Sequence, residues 1–136
     1  NLKYKIECII TKWRKLLTLP KQNEIGLPIL ECLKDKKNHH IENIVRSLEE
    51  YFELSKDDRE LQKSSGGEGL FHNRIRWANF YLRKAGLVES FVGKGISKIT
   101  SEGIELLNEK PKIIDVKFLM TFPKFIEYKK SMSKKK

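Results

Sequence analysis

The stretch from Phe71 to Gly86, Phe-His-Asn-Arg-Ile-Arg-Trp-Ala-Asn-Phe-Tyr-Leu-Arg-Lys-Ala-Gly, decides the fold. Phe71, Ile75, Ala78, Leu82 and Ala85 recur at steps of four, three, four and three. At about 100° per residue they line up as one apolar stripe, which belongs in a core. Asn73, Arg76, Phe80, Arg83 and Lys84 fall on the opposite arc, a mixture of cations, an amide and an exposed aromatic suited to base edges and phosphates. An ordinary surface helix also carries a solvated basic face, so the flanks decide. Gly86 fits a left-handed C-terminal cap, and Leu87 to Val92 then reads as a strand. In Val92-Gly93-Lys94-Gly95-Ile96 two glycines flank a lysine, as a tight hairpin turn requires, and Ser97-Lys98-Ile99 supplies the returning strand. A helix followed by strand, basic turn and strand is a helix with a wing.

The length of 136 residues suits one domain with its own core, which a hydrophobic share of 39% can fill. No apolar run reaches membrane length and none resembles a signal peptide, which points to a cytoplasmic protein with no membrane partner. Asn1 in place of Met suggests a piece of a longer protein. Cys8 and Cys32 sit in apolar helical stretches without zinc or disulfide spacing and read as small core residues. The net charge of +10 is spread unevenly, with +5 over residues 71–98 between −3 over 25–70 and −2 over 99–110. Residues 1–24 carry +4 and residues 111–136 carry +6. A cationic island of this kind is the footprint of a polyanion site, although RNA and an anionic membrane surface fit the balance as well.

Along the chain, residues 2–17 read as an amphipathic helix, through Leu2, Ile6, Ile9, Trp13, Leu16 and Leu17, docked on the domain or on a partner. With its connector this makes an N-terminal unit of residues 1–24. A second helix is expected over 26–33 with Pro28 in its first turn, where a missing N–H costs nothing. A short extended piece follows at His39-His40, and Ile41, Ile44, Val45, Leu48 and Phe52 mark a third helix. Ser55 with Asp58 resembles the cap and acidic first turn of a short helix over 56–62. Residues 64–69 are glycine-rich but lack the Lys-Ser/Thr ending and preceding strand of a phosphate loop. Thr100 caps a helix carrying Ile104, Leu106 and Leu107, which Pro111 breaks. Residues 113–126 form an apolar segment, strand-like and then helical, with Pro123 near the last helix start; it should pack back on the core. Residues 131–136 read as a disordered, lysine-rich tail or linker.

The run Phe71-His72-Asn73-Arg74-Ile75-Arg76-Trp77-Ala78, continued by Tyr81-Leu82-Arg83-Lys84-Ala85-Gly86-Leu87-Val88-Glu89, resembles the N-terminal domain of Mrr-type restriction proteins. Pro28-Ile29-Leu30, Ile99-Thr100-Ser101-Glu102-Gly103, Ile114-Asp115-Val116-Lys117-Phe118-Leu119 and Phe122-Pro123-Lys124-Phe125 follow that family's order of motifs, so the likeness spans roughly residues 25–130. It implies a winged-helix domain that delivers a C-terminal nuclease to DNA, often modified DNA. The first 24 residues lie outside the pattern.

A nuclease similar to the PD-(D/E)xK type needs clustered carboxylates for a divalent metal and a lysine beside the attacking water. Asp115-Val116-Lys117 fits only the end of that pattern, since Glu102, Glu105 and Glu109 fall on a surface helix. His39, His40 and His72 are too scattered for a metal site. No catalytic residue, metal or cofactor is therefore assigned.

The expected architecture is mainly α with a small β-hairpin wing: a winged helix-turn-helix over residues 25–130, with an extra N-terminal helix and a C-terminal packing segment. The expected partner is double-stranded DNA, methylated or not, bound by the helix in the major groove and the turn on the backbone or minor groove. Asn73 and Arg76 are the candidates for base contacts, and Arg83, Lys84, Lys94 and Lys98 for phosphates. Arg74 lies nearer the buried side, open between a structural ion pair and a DNA contact. Trp77 is open between core packing against the wing and contact with a base methyl. A transcriptional regulator of the same fold, often a homodimer on a palindrome, is one alternative. A protein-interaction module using Phe80 and the N-terminal helix is another.

Overall fold

Residues 19–61, 67–91 and 94–134 are described by a computed structural model, the side chain of Phe91 excepted. The expectations for residues 2–17, for Cys8 and for most of the glycine-rich loop fall outside them. The first helix, α1, spans Gln22–Cys32. It starts earlier than expected, because the Glu24 N–H donates to the Lys21 carbonyl at 2.9 Å and closes a turn upstream of Gly26. Pro28 therefore lies inside the helix and not in its first turn. Ile25, Ile29 and Leu30 from α1 are fully buried, and Cys32 packs half-buried against the same core.

His39 and His40 form a two-residue strand, β1, whose pairing sequence reading did not anticipate. Helix α2, Ile41–Tyr51, starts at the His40 cap, whose Nδ1 accepts from the Glu42 N–H, and buries Ile44 and Leu48. Helix α3, Lys56–Glu60, carries the expected cap in full: Ser55 Oγ accepts from the Asp58 N–H, and the Asp58 carboxylate accepts from the Ser55 N–H. Helix α4, Leu70–Lys84, buries Phe71, Ile75, Ala78 and Leu82 and packs chiefly on α1. Its end is a Schellman arrangement. Gly86 takes φ +84°, its N–H reaches the Arg83 carbonyl, and the Leu87 N–H reaches the Leu82 carbonyl.

Strands β2, Val88–Phe91, and β3, Ile96–Ile99, form the wing, with Ser90 opposite Ser97 and Glu89 opposite Lys98. β1 joins the free side of β3, giving the antiparallel order β1-β3-β2. Apart from α3, the order is helix, strand, helix, helix, strand, turn, strand, with the last strand in the middle of the sheet, which is that of a winged helix. The connection between α2 and α4 departs from a tight turn, since α3 is inserted there.

Thr100 caps α5, Ser101–Asn108, by accepting from the Gly103 N–H, while its own hydroxyl donates to the Gly86 carbonyl at 2.7 Å. Gly103 is required by packing: a Cβ there would collide with the Leu87 carbonyl and the Ile99 side chain.

The C-terminal segment departs from expectation in two places. Where a strand-like piece was expected, Asp115 accepts from the Phe118 N–H at 2.8 Å and caps a short helix, α6, Val116–Leu119. A helix cap inside an apolar run settles the helix-or-strand ambiguity that periodicity leaves open. The supposed disordered tail is helix as far as it is described, because α7 spans Pro123–Lys134 with Pro123 as its first residue. Ile114, Leu119 and Phe125 from this segment are core residues, so it does pack back on the domain.

Candidate nucleic-acid interface

α4 presents its outward arc in two unlike halves. In the first, Asn73, Arg76 and Trp77 face outward. The Arg76 side chain is 61% exposed and Trp77 is 48% exposed. Of the two readings left open for Trp77, core packing against the wing is not met; it stands at the surface, edge-on to Phe80 and Tyr81. The Asn73 amide nitrogen and Arg76 converge on one carboxylate, that of Glu68. Asn73 Nδ2 donates to Glu68 Oε2 at 3.2 Å, and Arg76 Nη1 reaches both carboxylate oxygens at 3.1 Å. His72 Nδ1 stands 3.8 Å from Oε1. Burial raises the Glu68 pKa, but the hydrogen bonds from Arg76 and Asn73 and the Arg76 and His72 charges outweigh it, leaving Glu68 more acidic than an ordinary glutamate. Sequence reading missed Glu68 because it lies outside the helix, in a glycine-flanked stretch that reads as loop.

In the second half of α4, Phe80 is half-buried and not the exposed aromatic that the helical wheel predicts. Tyr128 of α7 packs edge-on against it with ring centroids 5.5 Å apart. Tyr81 meets Phe125 at 5.6 Å. The cations of this half lie over the rings, with Arg83 at 5.1 Å and Lys84 at 5.3 Å from the Phe80 centroid, and Lys84 also 5.4 Å from Tyr128. From α7, Lys129 sits over Tyr81 and Phe125. Such stacking holds a charge at the surface while its stem covers apolar area. Arg83 and Lys84 thus keep their charge on the outer surface, flanked now by Lys129.

Arg74 is turned toward backbone carbonyls. Its Nη1 donates to the carbonyls of Pro20 at 3.0 Å and Leu19 at 3.3 Å, tying α4 to the chain entering α1. Burial lowers its pKa and the Glu24 charge opposes that, yet a guanidinium stays protonated throughout.

Of the wing, Lys94 is exposed at the turn, Gly95 takes φ +63°, and the Gly95 carbonyl accepts from the Ile41 N–H at 2.8 Å. That bond pins the wing to the start of α2; Val92 and Gly93 lie outside the described residues. Lys98, opposite Glu89, lines a shallow hollow with Arg83, Lys124 and Glu102. The wing is also tied to α4, because Asn79 Nδ2 donates to the buried Ser97 Oγ at 2.9 Å. Asp115, the one acid of the nuclease-like triplet, is engaged as the α6 cap. Among the described residues no three of His, Cys, Asp and Glu cluster to hold a metal, and no helix is long and apolar enough to cross a membrane.

This architecture has a counterpart among known families: the model of the Mrr N-terminal domain matches residues 23–109. The chain belongs to the Mrr N-terminal domain family. No curated protein and no solved structure matches the chain. The matched part runs through α5, so α6 and α7 lie beyond it, and α7 is the helix that packs on the second half of α4. The likeness of residues 114–125 to that family therefore stands outside the match. Membership ties the domain to Mrr-type restriction systems, and the match brings in no catalytic domain.

Proposed function

We propose that this domain binds double-stranded DNA and serves as the target-recognition part of an Mrr-like restriction endonuclease, with the nuclease supplied by another domain of the full-length protein. The observation that carries this reading is the first half of α4. There a guanidinium, an amide and an indole stand together on the outward side of the helix that a winged helix offers to the major groove. Arg76 and Asn73 have the donors and acceptors for purine edges. Trp77 offers apolar area to a thymine or cytosine methyl. Arg83, Lys84, Lys94 and Lys98 face the backbone, and Lys129 of α7 joins them. Family membership favours this over a free-standing regulator. The half-burial of Phe80 weighs against an interaction module that rests on it.

Fluorescence anisotropy with a labelled duplex at a series of salt concentrations tests the proposal. Five or so neutralised phosphates give a log–log slope of about −4 to −5. Affinity indifferent to salt would sink the reading. With magnesium or manganese the domain should leave the duplex uncut; cleavage abolished by Asp115→Ala would reverse the division of labour.

A further inference from the structure

Glu68 is a heavily engaged acid beside the start of α4, and its partners are the very side chains that a DNA base would need. The carboxylate takes both Nη1 contacts of Arg76 and the Nδ2 donor of Asn73, and stands beside His72, with only 18% of its own side chain exposed. It arrives there from the residue before the α4 cap, so it folds back over the first two turns of the helix. The cap itself, Gly69, offers no side chain to the first N–H groups of α4. A carboxylate beside a helix N-terminus, a guanidinium and an amide reproduces the oxyanion arrangement of a DNA phosphate.

We propose that Glu68 is a built-in competitor for DNA, closing the Asn73–Arg76 reading pair until a duplex replaces it; this rests on the DNA-binding reading above. The exchange explains why a specificity device belongs here. A duplex that offers only phosphates must displace one anion with another and suffers repulsion from the released carboxylate. A duplex that presents a matching purine edge gives Arg76 and Asn73 two paired contacts in return. Glu68 thus penalises unmatched DNA more than matched DNA. The backbone around it suits displacement. Gly67 sits at φ +82°, with no described residue within 4 Å of where a Cβ would be, and Gly69 follows on the other side, so Glu68 is hinged between two residues without side chains. The Glu68 carboxyl stays ionised at neutral pH, so DNA and not a proton must open the pair.

The test measures anisotropy with a labelled random-sequence 20-base-pair duplex, using the whole chain and the variants Glu68→Gln, Glu68→Ala, Glu105→Gln and Glu68→Gln/Arg76→Ala. Both Glu68 variants should bind about five- to tenfold more tightly than the parent, with a salt slope steeper by about one unit, since a repelling charge is removed and a cation freed. Glu105→Gln, which removes an exposed acid of α5, should change affinity less than about twofold, and the double variant should lose most of the gain. Coincident urea melts for parent and Glu68→Gln exclude a folding artefact, and Glu68→Ala gives the same comparison without the isosteric amide. If the Glu68 variants match Glu105→Gln, or bind more weakly, the competitor role is overturned while DNA binding stands. If the gain survives in the double variant, the effect is bulk charge and the role is likewise overturned. Absence of binding by every protein overturns the DNA-binding reading, and this inference with it.

Discussion

The two halves of α4 carry the same kinds of outward residue and meet opposite fates. Before Ala78, among the described residues, the outward arc is met by one carboxylate from a glycine-flanked stretch. After it, α7 lies across the arc with Tyr128 on Phe80 and Phe125 against Tyr81. A periodic pattern specifies which arc faces away from its own core, not what a later segment brings to that arc. On the proposed DNA-binding reading the first half is the part that enters a groove, as N-terminal residues of recognition helices do, while the second half is the seat of α7.

Phe125→Ala gives the hardest test of that contrast. Phe125 is fully buried, so its truncation should cost about 3–5 kcal/mol in urea unfolding; a loss below about 1 kcal/mol would mean that α7 merely rests on the helix. Arg76→Ala probes the other half. Its unfolding free energy should move by no more than about 0.5 kcal/mol, while discrimination between a preferred and a scrambled duplex falls by about 1–3 kcal/mol. Comparable destabilisation in both variants would erase the distinction between the halves. Tyr128→Ala should cost about 1 kcal/mol of stability through its ring contacts with Phe80 and Tyr81, and the same melts read it. Lys94→Ala sharpens the role of the wing: affinity for matched and scrambled duplexes should fall together, with a salt slope shallower by about one unit.

The smallest expected effect is in acid. The Glu68 pKa is lowered in the folded domain, so its contribution is complete above the unfolded value of about 4.3 and is lost as pH falls through the lower folded value. Urea melts below about pH 4 should show that component of the decline in the parent and not in Glu68→Gln. An identical decline would mean that Arg76, Asn73 and His72 do not hold the carboxylate in solution.

Much of the frame was legible because its determinants are local. The apolar stripe of α4, the glycine that ends it, the Ser55–Asp58 and Thr100 caps and the glycine–lysine turn all act within a few residues of themselves. What sequence reading left open or missed has the opposite property. His39 and His40 are a strand only because β3 lies beside them. Arg74 found backbone carbonyls more than fifty positions away along the chain. Phe80, expected exposed, is half-buried and Trp77, left open, is exposed because α7, coming from the far end, covers one and not the other.

By itself, then, the sequence determined the winged-helix class, the helix that carries the outward cations and the place of the wing, since periodicity, caps and positive-φ glycines act on neighbouring residues. Only the tertiary structure decided which of those cations stand exposed, which stack on α7 and which close on Glu68. Those choices depend on which distant segments meet, and a side chain's partner across space leaves no mark in its own stretch of chain.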